Sequence, residues 1–173
     1  MLSRVQGLVP EKEMTETEFR FKHSQLIEYY QYVEMRLRFI CATLLADEER
    51  TWFERLDDYG TDPMGKLIQK LADIQKSIGR EWLTEAQISE LNELCANRNY
   101  WCHQAFSGEI HVTFRKDAAK HEMVLRRPEY ALKIVKDLNA AIEWDEKLTD
   151  VSRTIDAEKD VIRRQLLQIL QQT

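Results

Sequence analysis

The stretch ETEFRFKHSQLIEYYQYVEMRLRFICATLLA, residues 16–46, decides the fold class. Within it Leu26, Tyr30, Val33, Leu37, Ile40 and Leu44 recur at alternating spacings of four and three, the period of a helix seam that packs along its whole length. A helix this long, apolar along one line only, must bury that line against other helices, and the downstream sequence offers them. A short second helix is expected over Glu48 to Leu56, stopped at Asp57-Asp58-Tyr59-Gly60 by a glycine able to turn left-handed. Asp62 followed by Pro63 reads as an N-cap and a first helical residue, and Leu67, Leu71, Ile74 and Ile78 give that third helix a core stripe ending at Gly79. Thr84 with Gln87 forms a capping-box pattern, from which a fourth helix should run through Ile88, Leu91, Cys95 and Cys102 to about Phe106.

Past Ser107-Gly108 the period changes. Ile110, Val112 and Phe114 alternate with His111 and Thr113, and Met123 to Leu125 can return, so a small basic hairpin is expected there. Pro128 then opens a last helix carrying Val135, Leu138, Ile142, Leu148, Val151, Ile155, Ile162, Leu166 and Ile169. A single rod of that length would reach ~60 Å at 1.5 Å per residue, so a break near Asp145 to Asp150 or an extended end over 145–173 is anticipated. Residues 1–15, with Gly7 and Pro10, show no period and read as a loose leader or docking arm.

Composition agrees with an all-α reading. Among 173 residues there are only 5 Gly and 3 Pro, against 43% hydrophobic and 32% charged residues, which suits one helical domain over 1–173 with a real core. No run approaches the roughly 18 uncharged apolar residues of a membrane span, and no signal-peptide pattern opens the chain, so a cytoplasmic protein without membrane partners is expected. Three cysteines, Cys41, Cys95 and Cys102, are an odd number in a chain that needs no stapling; they read as small buried hydrophobes. Cys95, Cys102, His103 and His111 lack any Cys-x2-Cys or comparable spacing, so neither a metal nor another cofactor is expected.

A net charge of -5 argues against a nonspecific nucleic-acid coat, yet charge is uneven. Between His111 and Lys136 lie seven Lys or Arg (115, 116, 120, 126, 127, 133, 136) against three acids, whereas Glu143 to Asp160 holds seven acids against three bases. The basic strip follows directly on Arg98-Asn99-Tyr100-Trp101-Cys102-His103, the run best suited to phosphodiester chemistry. Arginine holds phosphate through two parallel N–H bonds at any physiological pH, and histidine exchanges a proton near neutrality. On a regular helix with Leu91, Cys95, Cys102 and Phe106 as its buried stripe, Arg98 and His103 flank that stripe about 140° apart. Asn99 and His103 share a face, Cys102 and His103 do not, and Trp101 points away from the stripe, where it could stack on a base. The other tryptophans (52, 82, 144) and Tyr29-Tyr30 read as core or interface.

The Arg98 to His103 spacing resembles the Arg-x4-6-His signature of the HEPN superfamily (higher eukaryotes and prokaryotes nucleotide-binding), whose active members are metal-independent ribonucleases. The resemblance implies a HEPN-like helical bundle and a homodimer with a composite site at the seam, which two-fold packing of the 140°-separated residues would also provide. It implies cleavage by the substrate's own 2′-hydroxyl, in a toxin or an abortive-infection, phage-defence protein. His103 would then be the general acid or base, Arg98 would bind the phosphate, and Asn99 would orient His103 or touch the phosphate. HEPN sites often draw an acidic residue from an earlier helix; Glu34, between Ile27 and Cys41 on the shoulder of the first stripe, is the candidate, with an ion pair to Arg38 as its alternative role. Arg115, Lys116, Arg126 and Arg127 would contact the RNA backbone. Some members carry a tyrosine two residues after the histidine as a site of partner modification; here that position is Ala105, which puts that control in doubt. The other reading open at this point is a noncatalytic helical module that binds a nucleotide or a protein, including an antitoxin-like regulatory subunit.

Overall fold

In the computed structural model, which describes residues 13–45, 56, 59, 62–104, 114–119 and 121–170, Thr15 opens the first helix. Its hydroxyl accepts from the Glu18 backbone N–H at 3.1 Å while the Glu18 carboxylate accepts from the Thr15 N–H at 2.9 Å, a capping box. From there α1 runs Glu16–Leu45. All six seam residues, Leu26, Tyr30, Val33, Leu37, Ile40 and Leu44, are buried.

The next helix, α2, covers Met64–Ser77, one residue later than expected. Its N-cap is Pro63, which offers no side-chain cap, and Asp62 has a different task. The Asp62 carboxylate accepts from Lys66 at 2.7 Å and from Lys70 at 2.6 Å, so two ammonium groups outcompete the backbone for it. Gly79, where the stripe is expected to end, follows with φ of +64°, a left-handed stop. The Thr84–Gln87 capping box forms as read, and α3 spans Glu85–Asn99. Instead of continuing to Phe106 in α geometry, the chain widens into a π-helical turn over Tyr100–Gln104. Of the short helix expected over Glu48 to Leu56 and its stop, only Leu56 and Tyr59 are described, both helical; Ala105, Phe106 and Ile110 to Thr113 also fall outside the described residues.

A hairpin is present, with β1 (Phe114–Asp117) antiparallel to β2 (Glu122–Leu125) and Phe114 paired with Leu125. Met14 and Thr15 lie beside its second strand: Leu125 N–H donates to the Met14 carbonyl at 3.0 Å, and Thr15 bridges to Val124. The described end of the expected loose leader, residues 13–15, is therefore docked.

The last helix, α4, spans Pro128–Leu170 without the anticipated break. Ile134, Leu138, Ala141, Trp144, Leu148, Val151, Ile155 and Ile162 are all buried, so the apolar period passes through the acidic stretch uninterrupted. Asp145 lies at the edge of the stripe, accepting from Arg36 Nε of α1 at 3.2 Å, and the Thr149 hydroxyl satisfies the Asp145 carbonyl. At 43 residues α4 reaches ~64 Å, against ~45 Å for the 30 residues of α1. The four long α-helices of the described residues form a closed ring of neighbours, α1 on α2, α2 on α3, α3 on α4, and α4 along α1 in the most extensive interface. None of them is long and apolar enough to cross a membrane.

Candidate functional site

Two overlapping stripes were available to α3, and the structure uses the one with the larger side chains. Leu91 and Leu94 are buried, as is Trp101 in the π turn, whereas Cys95 is only partly buried and Cys102 is exposed. An indole removes far more apolar surface from water than a thiol, so the core turns toward Trp101. The expectation that Trp101 faces solvent as a stacking platform is thereby corrected: its relative exposure is 0%.

This rotation decides where Arg98 goes. Seven positions after Leu91, it leaves α3 on the inward side and meets α1. Arg98 Nη2 donates to Glu34 Oε2 at 3.2 Å and Nη1 to Asn99 Oδ1 at 3.1 Å. Glu34 also binds Arg38, the alternative partner foreseen for it, so one carboxylate serves both guanidinium groups. From Arg38 the chain of contacts continues, since its Nη2 donates to the Asp62 carbonyl at 3.3 Å and Asp62 carries Lys66 and Lys70. Those two lysines hold the Asp62 carboxyl below the usual carboxylate range. Arg98 is one partly exposed end of a charged line that crosses α1 to α2, where Lys66 again reaches the surface. Cys95, one turn before it, is pushed up in pKa by burial and lies against Gly65 of α2.

His103 stands exposed on the π turn, beside exposed Asn99. The turn is held from both sides. Trp101 Nε1 donates to Asp137 Oδ2 of α4 at 2.7 Å, Lys133 Nζ donates to the same oxygen at 2.9 Å, and Lys133 also lies over the Tyr100 ring at 5.2 Å. On the α1 side His23 Nε2 sits 3.2 Å from the Trp101 carbonyl oxygen, donating in the tautomer that carries its proton there. Burial lowers the His23 pKa, and nearby Arg20 adds to the effect, while the Trp101 hydrogen bond opposes both.

Asp137 and His23 escaped the sequence reading, and Lys133 entered it only as one charge of the basic strip. A signal existed for one of them, because Asp137 occupies the stripe between Ile134 and Ala141, and an acid at a core position requires buried partners. For His23 no local signal exists; its partner is 78 positions away.

No known protein family matches this chain, and neither a curated protein nor a solved structure matches it.

The basic strip lies on the hairpin and the start of α4. Arg115, Lys116, Arg126 and Arg127 are all partly or fully exposed. Arg115 pairs with Glu13 at 2.5 Å and Arg127 with Glu129 at 3.8 Å, while the acidic stretch of α4 uses Arg36 and Arg80 of the bundle as partners. Phe19 links strip and motif: its ring centroid lies 6.2 Å from that of Trp101 and 5.9 Å from that of Phe114, the residue before Arg115. Arg98, Asn99 and Glu34 are thus in direct contact, and the four basic residues stand apart from them, joined through that aromatic relay.

Proposed function

We propose that this protein is a metal-independent endoribonuclease of HEPN type, a toxin or phage-defence enzyme acting on RNA in the cytoplasm. The observation that carries the reading is Arg98, held partly exposed by Glu34 and Asn99 at the edge of a turn that presents an exposed His103. A guanidinium with one edge fixed by a carboxylate keeps N–H donors for a phosphate, and an exposed imidazole presents ring nitrogens that can accept or donate a proton. In the reaction the RNA 2′-oxygen bonds to the adjacent phosphorus as the bond from phosphorus to the 5′-oxygen breaks, leaving a 2′,3′-cyclic phosphate and a 5′-hydroxyl. His103 takes the proton of the 2′-hydroxyl or gives one to the departing oxygen, and Arg98 binds the phosphate as its charge grows. Asn99 steadies Arg98 through its amide oxygen, Glu34 positions Arg98, and the strip of Arg115, Lys116, Arg126 and Arg127 contacts the RNA backbone without reading sequence. A homodimer, and an antitoxin or regulatory protein that restrains the enzyme, belong to the same reading.

A second reading has its own support. The charged line from Arg98 to Lys70 is also what a purely structural tie between α3, α1 and α2 looks like, in a noncatalytic helical module that binds a nucleotide or protein partner. Incubating RNA with the protein in EDTA separates the two. Catalysis predicts cleavage to cyclic-phosphate ends, lost with either Arg98→Ala or His103→Ala; intact RNA with wild type, or full cleavage with His103→Ala, removes the enzyme reading.

A further inference from the structure

On a regular α-helix the members of an Arg-x4-His pair stand about 140° apart, which is the geometric reason to seek the second half of the site in another subunit. Here, however, the five residues Tyr100–Gln104 that lead from Arg98 through His103 are a π turn. In such a turn the hydrogen bond closes from residue i to i+5, with roughly 4.4 residues per turn and therefore about 82° per residue. Residues five apart then stand about 50° from each other around the axis, against about 140° in an α-helix. Counting one α step from Arg98 to Asn99 and four wider ones to His103 leaves the two side chains only about 70° apart.

We propose that the π turn gathers Arg98 and His103 on one side of a single protomer, and that Trp101 and Asp137 are the positioning residues that hold it there. π turns are short local departures from the α-helical ladder, kept where tertiary contacts favour them. Trp101 supplies those contacts. Its ring is fully buried against Phe19, its Nε1–H is fixed by the buried Asp137, and its carbonyl faces His23. Relaxing the turn to α geometry would swing the residues after Trp101 forward and carry His103 away from Arg98. The inference rests on the ribonuclease reading for its purpose, though not for its geometry.

Two experiments test it. The first needs no activity: in Arg98→His the new imidazole and His103 should chelate nickel(II) across the π turn, so that millimolar nickel raises the thermal midpoint by several degrees. Adding His103→Ala should abolish that rise, and adding Trp101→Phe, which keeps the ring but removes the N–H donor, should shrink it. Asn99→His is the positive control, since positions 99 and 103 share a face in either geometry. If Asn99→His responds and Arg98→His does not, the single-protomer arrangement is wrong. The second experiment mixes Arg98→Ala with His103→Ala protein after unfolding and refolding them together. A site complete in each protomer leaves the mixture inactive, whereas recovery of about a quarter of wild-type RNA cleavage means the residues come from different subunits and overturns the proposal. Should wild type cleave no RNA, the ribonuclease reading fails and the nickel result still decides the geometry.

Discussion

Glu34 and Arg98, 64 positions apart in sequence, meet at 3.2 Å between α1 and α3, and the same carboxylate holds Arg38. One carboxylate thus pairs with two guanidinium groups, leaving the trio with a net positive charge, and its own side chain is only 12% exposed.

Removing that charge should be felt in the fold as well as the site. Glu34→Gln keeps shape and an acceptor but leaves Arg98 and Arg38 without this counter-charge. Breaking a fully buried pair costs about 3–5 kcal/mol; with the Arg98 side chain 30% exposed, water takes up part of the loss and about 1–3 kcal/mol is expected. Chemical denaturation measures it, and an unchanged midpoint would show the pair to be decorative.

Trp101 should behave as a core residue and not as a base-stacking one. Trp101→Ala should destabilise by about 3–5 kcal/mol, and Trp101→Phe by about 1–3 kcal/mol because Asp137 loses its buried donor. RNA affinity of folded Trp101→Phe should match wild type. A selective loss of affinity with stability intact would return Trp101 to the RNA surface.

His23 gives stability a pH dependence of defined sign. Its pKa in the folded protein lies below the ordinary 6.5, so the unfolded chain binds the proton more readily. The contribution is therefore complete above pH 6.5 and lost as the pH falls below that value through the depressed folded pKa. Melting temperature should fall between about pH 7 and pH 5, and His23→Gln should flatten that part of the curve. An identical acid limb in the variant would assign the effect to other groups.

The strip should act on binding alone. Arg126 and Arg127 are exposed and the Arg127–Glu129 ion pair is a loose surface one, so changing both arginines to alanine should alter stability by less than about 0.5 kcal/mol. RNA affinity should fall for all sequences alike, with the salt slope reduced by about 0.7 for each phosphate that is no longer neutralised. An unaltered slope would place the RNA elsewhere.

Whatever depends on neighbours along the chain is legible in the sequence. The seam of α1, the Thr84–Gln87 box and the Gly79 stop are local patterns, and each appears at its expected place, as does a hairpin returning through Met123 to Leu125. Sequence and structure part where distant groups compete for one residue. Asp62 forsakes its cap for two lysines, and Trp101 displaces Cys102 from the core because Phe19 and Asp137 offer it a pocket. The π turn is illegible for the same reason: it is imposed by contacts from α1 and α4, and the local residues alone read as a plain helix. At the candidate site, Arg98, Asn99 and His103 can be found by chemistry, and Glu34 by its place on the α1 shoulder, but the contact of Arg98 with Glu34 follows from the rotation of α3.

The pairing of α1 with α4, sealed at one end by the Met14 and Thr15 contacts to β2, has a kinetic consequence. Helical proteins usually assemble fast because their helices pack on neighbours in sequence, whereas here the largest interface joins segments separated by everything between Leu45 and Pro128. The entropy of closing that loop must be met before the main core contributes anything. In refolding, α2 and α3 can pair early and locally, while the charged line at Glu34, the Trp101–Asp137 lock and the hairpin seal all wait for the two long helices to find each other. The motif-bearing turn is consequently among the last parts of the molecule to take shape, and a nascent chain halted before α4 emerges carries Arg98 and His103 in a segment with no reason yet to be anything but an ordinary helix.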